Sequence, residues 1–178
     1  MERFRIACCV KAQTQHAIRF GCSLTTQNVI IARATWRDLV SLWRLERACF
    51  LHDAYDPLTL LSLVAWTNNV ALKAVAGSEL VGFIAGDEPW GDTFAWIVTL
   101  GVSPQFRQRG IGARLLAECE ARLSRPALRL MVREGNAPAI ALYDQCDYVR
   151  VRREAGYYRD GEAGLLMEKA RKGVRASS

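Results

Sequence analysis

Hydrophobic positions along the chain change period several times, and each change marks an element. VIIARA (29–34) is β-branched and apolar, as a strand is, and it stops at Thr35. Thr35 as N-cap, with Asp38 three residues later, forms a near-capping box that predicts a helix to about Cys49. Leu39, Leu42, Trp43 and Leu45 give that helix an apolar stripe. Asp56-Pro57 opens a second helix, with proline in the first turn where its missing N–H costs nothing. VALKAVA (70–76) and ELVGFIAGD (79–87) flank Gly77-Ser78, a hairpin signal of Gly-X type. TFAWIVTLGV (93–102) is apolar almost throughout, which predicts a strand covered on both faces at the centre of a sheet.

Beyond it the pattern predicts a helix from Gly110 to about Ser124 and a strand at ALRLMV (127–132). A helix capped by Asn136 and running to about Cys146 follows, then strands at YVRVRRE (148–154) and AGLLMEK (163–169). The order β, α, α, β, β, β, α, β, α, β, β defines a mixed α/β layer fold, with no internal repeat and no linker. Residues 1–28 show no clear period and read as an arm without an assigned role, 29–170 as the domain, and 171–178 as a basic tail.

Composition narrows the functional classes. With 178 residues, 51% of them hydrophobic, the chain has material for one core and needs no staples. The formal net charge of +6 rests partly on dispersed arginines such as Arg33, Arg37, Arg44 and Arg47, whose helical spacing reads as a solvated face, so nucleic acid is not an expected partner. Six cysteines without a C-x-x-C pair, and two histidines, exclude a zinc site and fit the reducing cytoplasm. The longest greasy run, LTLLSLVAW, falls well short of the roughly 18 residues that cross a bilayer, so no membrane partner is expected.

The chemistry-bearing stretch is VSPQFRQRGIGARLL (102–116), where a strand ends, two cations appear and two glycines open a helix. A helix N-terminus offers unpaired N–H groups and about half a positive charge to an anion. Gly110 and Gly112 remove the Cβ atoms that would obstruct its approach, and Arg107 and Arg109 add donors suited to phosphate oxygens. The turn is neither a P-loop, since G-x-x-x-x-G-K-[ST] is absent, nor a dinucleotide fingerprint, since the first glycine and the downstream acid are missing.

R-Q-R-G-I-G (107–112), preceded by TLGVSP and followed by ARLL, resembles motif A of the GCN5-related N-acetyltransferases, and NAPAIALYDQCDY (136–148) resembles their motif B. The resemblance covers about residues 29–170. Within the family, GYYRDGEAGLLMEK (156–169) and LERACF (45–50) are similar to the closing hairpin and first-helix segment of the N-terminal acetyltransferases, including the bacterial ribosomal-protein type. It implies a mixed central sheet flanked by helices, with splayed central strands between which acetyl-CoA lies. The cofactor arm would pair with the backbone of Leu100 and Val102, with Gly101 easing a bulge. The diphosphate would sit on Arg107, Gln108, Arg109, Gly110, Ile111, Gly112 and Ala113, and Asn136 would contact the arm.

The resemblance makes Tyr143 the general acid for the departing sulfur, in contact with the cofactor, and a central-strand N–H, that of Leu100, the group polarising the thioester carbonyl. The base is a departure. Bacterial relatives have Glu and some eukaryotic ones His where this chain has Met131, and Trp96 replaces a tyrosine of the eukaryotic type. Glu134, just past that strand, and Tyr158 are the nearest substitutes. Tyr157 and Tyr158 line one wall of the acceptor groove, and Glu46, Phe50 and His52 the other. The expected acceptor is a protein or peptide N-terminus. Two readings stay beside it: a small-molecule amine as acceptor, with Asp53, Asp56, Asp87 and Glu88 available to attract it, and an acyl-CoA sensor without turnover.

Overall fold

The computed structural model describes residues 8–9, 28–50, 53–66 and 68–171. His52, the tail from residue 172 onward and most of the N-terminal arm lie outside them. Strands β1 (Cys8–Cys9), β2 (Val29–Arg33), β3 (Asn69–Ala76), β4 (Glu79–Asp87), β5 (Phe94–Val102), β6 (Ala127–Arg133), β7 (Val149–Glu154) and β8 (Gly164–Ala170) form one sheet. Its order is β2-β3-β4-β5-β6-β8-β7, with β1 on β5. Helices α1 (Leu39–Cys49) and α2 (Pro57–Ala65) cover one face, and α3 (Ile111–Glu120) and α4 (Ala137–Gln145) the other.

Local chemistry sets most of these boundaries. The Asp38 carboxylate accepts from the Thr35 N–H at 2.9 Å and from its hydroxyl at 3.0 Å, and a single 3-10 turn, Trp36–Asp38, precedes α1. Asp56 caps α2 by accepting from the amides of Leu58 and Thr59. Asn136 caps α4 through the Ala139 amide. Helix α3 closes at Glu120, one turn short of the expected end.

One core packs α3 and α4 on Ile84, Ile97, Leu100 and Leu130; the other packs α1 and α2 on Phe83, Ala85 and Val98. Strand β5 belongs to both, which is why it reads as continuously apolar.

Two features of β5 position the site. Its parallel ladder with β6 covers Phe94, Ala95 and Trp96 against Ala127, Leu128 and Arg129, so the strands part beyond Trp96 at the sheet's centre. Its ladder with β4 slips between Ala85, opposite Thr99, and Gly86, opposite Ile97, leaving Val98 as an extra residue. The bulge therefore lies at Val98, not at Gly101 as expected. Through it Val98 packs with the α1 layer and the next residue, Thr99, also reaches α1, before Leu100 returns to the opposite core.

Candidate active site

The gap between β5 and β6 exposes a strand edge inside a sheet, and unpaired backbone groups there seek a partner. β1 supplies one, with Cys8 opposite Leu100 and Cys9 opposite Gly101 in parallel register. This is the edge expected to hold the cofactor arm, so the chain's own backbone and an elongated ligand would use the same groups. The Val102 carbonyl, also expected to pair with the arm, accepts from Arg107 Nε at 3.1 Å and from Cys49 Sγ at 3.4 Å. Gly101 lies tightly under α1, where an added Cβ would stand 3.4 Å from both Cys49 Sγ and Phe50 Cε2.

At the end of that edge, Gln108 and Gly110 both have left-handed backbone, with φ of 59° and 74°, while Arg109 between them does not. Alternation of this kind turns successive N–H groups into one concavity, a nest for an anion. Gly110 is also the N-cap of α3, whose first amides lack intrahelical acceptors. The residues present thus fit a diphosphate, through backbone more than through the arginines. Arg107 bonds back to Val102, and Arg109 donates to the Gln105 carbonyl at 3.1 Å with its guanidinium 5.0 Å above the Phe106 ring. Gly112 serves packing as well, since a Cβ there would meet Leu142 of α4 at 3.4 Å. Ile111 is buried under the turn, and Ala113 follows it in the first turn of α3.

Asn136 spends its carbonyl oxygen on the α4 cap, 3.3 Å from the Ala139 amide. Tyr143, seven residues on, is fully buried, its ring edge-on to Tyr148 at 5.6 Å.

The side expected to receive the acceptor draws on α1, the α1–α2 loop, β5, β6 and the β7–β8 hairpin. Glu46 of α1 is 2% exposed, and its Oε1 accepts from the hydroxyl of the fully buried Thr99 at 3.0 Å. Its Oε2 makes no hydrogen bond of good geometry. Burial pushes the Glu46 carboxyl up to about 7, against the opposing pull of the Thr99 hydroxyl and the nearby Tyr55 amide. The Tyr55 phenol is itself pushed up, first by burial and then by the negative charge of Glu46, with Tyr157 and Asp53 adding to it. Glu46, Tyr55, Asp53 and Tyr157 therefore feel one another across the α1–α2 loop and the β7–β8 hairpin.

Tyr157 and Tyr158 stack edge to face at 5.1 Å. The Sδ of Met131 would lie 2.8 Å from a Cβ added at Gly164, and Tyr157 Cδ1 at 3.1 Å from it, so the Met131 side chain packs close to Tyr157. Arg133, two residues along β6, binds the two loops together. It donates to Asp53 at 2.8 Å from Nε and to Asp160 at 2.8 Å from Nη1, also bonds Glu162, and lies 4.0 Å above the Tyr158 ring.

Glu134 sits elsewhere in character. It is exposed, its two oxygens accept from Arg153 Nε and Nη2 at 2.7 Å each, and that ion pair holds its pKa below the usual carboxylate value. A proton acceptor fully engaged by a guanidinium suits the surface, not the groove, and this arrangement replaces the expectation that Glu134 acts as base. Tyr158, the other expected substitute, is buried beneath Arg133, whose charge it faces with its ring. Glu46 of α1 and Phe50 at its C-cap are both buried.

Sequence reasoning missed β1, the bulge at Val98 and the Arg133 hub. It had a signal for Glu46: with Leu42, Leu45 and Cys49 it occupies the i, i+3, i+4, i+7 positions of one buried helical face. A carboxylate on that face is a burial anomaly readable from spacing alone.

A sheet opened at its centre, an amide nest at the mouth of the opening and a buried acid beside it define a group-transfer site for an elongated anionic cofactor. The model of the Acetyltransferase (GNAT) family matches residues 36–148, and the chain belongs to that family. It is 35% identical over 138 residues to the N-alpha-acetyltransferase RimI of Mycobacterium tuberculosis, covering 75% of this chain and 87% of the relative. Among solved structures it is similar to Arabidopsis thaliana NAA60 in complex with a bisubstrate analogue, at 25% identity and a TM-score of 0.73, over 82% of this chain and 99% of the other. The ribosomal-protein-S18-alanine N-acetyltransferase of Escherichia coli shares the fold at 22% identity, with a TM-score of 0.72 over 84% and 96% of the two chains. The chain is an N-acetyltransferase, an enzyme of the acyltransferase class. No described helix is long and apolar enough to cross a membrane.

Proposed function

We propose that this enzyme acetylates the N-terminal α-amine of a protein or peptide, using acetyl-CoA. The observation that carries the reading is the similarity to a relative named for α-amine acetylation, across 87% of that relative's length. Bound acetyl-CoA supplies an activated acyl thioester. The residues that would hold it are Arg107, Gln108, Arg109, Gly110, Ile111, Gly112 and Ala113 at the diphosphate, Leu100, Gly101 and Val102 along the arm, and Asn136 and Tyr143 from α4. Tyr143 supplies a proton to the departing sulfur. Phe50, Tyr157 and Tyr158 wall the acceptor groove beneath the bridge made by Arg133. Cys49, Cys119 and Cys146 are free thiols, which suits a cytoplasmic setting.

Amine chemistry favours the same acceptor. An α-amine titrates near 7.8 and a lysine near 10.4, so roughly 3.5 kcal/mol separates their costs of deprotonation at neutral pH. On the order of a tenth of α-amines are already neutral there, against well under a thousandth of lysines. A site whose family base is replaced by Met131 is better matched to the α-amine.

The test is acetylation of a peptide library read by mass spectrometry, beside calorimetry with CoA. Expected are acetyl groups on free N-termini and few on lysines of N-blocked peptides. Acetylation confined to lysine would overturn the acceptor assignment, and absence of CoA binding by folded protein would overturn the whole reading. Tyr143→Phe should lower kcat by about a hundredfold with CoA affinity kept.

A further inference from the structure

Resting on that reading of the acceptor, we infer that Glu46 is the general base of this enzyme, held in place by Thr99 as a positioning residue. The assignment starts from geometry. Glu46 is 2% exposed, yet it forms no salt bridge among the described residues; the Thr99 hydroxyl and the Tyr55 amide act on it, and its Oε2 has no hydrogen bond of good geometry. A buried carboxylate oxygen without a donor costs stability, and such a cost persists where the oxygen has a task. Its place supports the task. Glu46 reaches β5 at Thr99, directly beside Leu100 and within the segment where β5 has parted from β6, and it couples to Tyr55 and, through it, to Tyr157 of the acceptor wall.

The bulge at Val98 is the device that makes this contact. In regular alternation Val98 and Thr99 would face opposite cores; the extra residue turns both toward α1, so that the Thr99 hydroxyl meets the carboxylate. The hydroxyl fixes one oxygen and leaves the other to accept. The groups facing Glu46 are Thr99 from β5 and Tyr55 from the α1–α2 loop, with Tyr157 and Asp53 acting on Tyr55, and the carboxylate of Asp53 is drawn away by Arg133. No described cation neutralises Glu46, so burial brings its titration close to physiological pH, where a base is most effective. Met131 and Glu134 leave that role open: one cannot accept a proton, and the other is engaged by Arg153.

The step balances. Glu46 accepts a proton from the amine as the nitrogen–acyl carbon bond forms, and Tyr143 gives one to the sulfur as the carbon–sulfur bond breaks. Glu46 then loses its proton to solvent and Tyr143 regains one, leaving an amide and a thiol.

The test uses the full chain, a peptide with a free α-amine, and the same peptide with an aminooxyacetyl N-terminus, whose amine stays neutral across the range. With the second peptide, wild-type kcat should rise with pH through about 7, because the remaining titration belongs to the enzyme. Glu46→Gln should lower kcat by about a hundredfold with the α-amine peptide and erase the limb seen with the aminooxyacetyl one, CoA affinity being kept. Thr99→Val should move the limb upward and leave its plateau within about threefold, because the hydroxyl favours the charged form. Independently of turnover, the side-chain carboxyl resonance of one ¹³C-labelled glutamate should titrate near 7 and vanish in Glu46→Gln. Glu46→Gln with kcat within about threefold and an unchanged limb overturns the assignment. If that variant does not fold, an unmoved limb in Thr99→Val, or a wild type without the titrating resonance, overturns it equally. Wild-type protein that binds CoA but acetylates only lysine defeats the acceptor reading instead.

Discussion

The cofactor side and the acceptor side of this enzyme are built by different means. The nest at Gln108 and Gly110 is local: left-handed residues and the start of a helix lie within a few positions, and no partner distant in sequence is needed to aim the amides. The acceptor wall is made of pairings between remote segments, Glu46 with Thr99 across 53 positions and Asp53 with Arg133 across 80. The first is a backbone device that only glycine and turn chemistry can supply. The second depends on side chains whose identity can change once the fold is fixed. Met131 and Trp96, the two positions where the resemblance implies a different residue, both belong to this second kind.

The contrast should be visible in stability. Glu46 has its pKa raised from 4.5 to about 7 in the folded state, so the native protein binds a proton between those values that the unfolded chain does not. Its contribution is fully present below about 4.5 and is lost as pH rises through 7, a loss on the order of 3 kcal/mol. Glu46→Gln should flatten that dependence and be the more stable protein at about pH 8, by urea denaturation. Equal pH slopes in the two proteins would mean the carboxyl is solvated and the acceptor side less buried than described.

Next in size is Arg133→Leu. Asp53, Asp160 and Glu162 would lose their shared cation and repel one another, at about 2 kcal/mol given their partial exposure. The α1–α2 loop and the hairpin should separate, raising the peptide KM while leaving CoA affinity unchanged. A parallel loss of CoA affinity would show that the two sides are not independent.

The same division explains how much could be read from sequence. Every strand and α-helix described between residues 29 and 170 was legible, because capping residues, the Gly77-Ser78 turn and apolar periodicity all act within a few residues. RQRGIG was legible for the same reason. The bulge was expected at Gly101 because glycine permits one, but Val98 carries it: the strain is relieved where β5 must present two neighbours to α1, a requirement set by tertiary packing. Nearness to Met131 in sequence points to Glu134 as base, but Arg153, brought beside it across 19 positions by the sheet, engages its carboxylate. Proximity along the chain predicted backbone well and side-chain partners poorly.

A smaller effect belongs to the nest. With φ of 74°, Gly110→Ala should cost roughly 1 kcal/mol in stability and, by tilting the amides, about fivefold in CoA affinity, with the peptide KM unaltered. Calorimetry and steady-state kinetics check the two halves separately. A change in peptide KM of similar size would erase the distinction.

The smallest expected effect comes from β1, a remote segment that enters the cofactor side. Cys8 and Cys9 lie opposite Leu100 and Gly101 on the edge that the resemblance assigns to the cofactor arm, so arm and strand compete for the same backbone groups. Proline at both positions removes their N–H groups and fixes their φ, weakening the ladder without shortening the chain. If hydrogen bonds of about 0.5 kcal/mol net must be given up when the arm binds, the doubly substituted protein should bind CoA roughly twofold more tightly by calorimetry, with the peptide KM unchanged. Weaker binding would show instead that β1 supports the edge for the cofactor, and the cofactor side would then depend, like the acceptor side, on a partner brought from far along the chain.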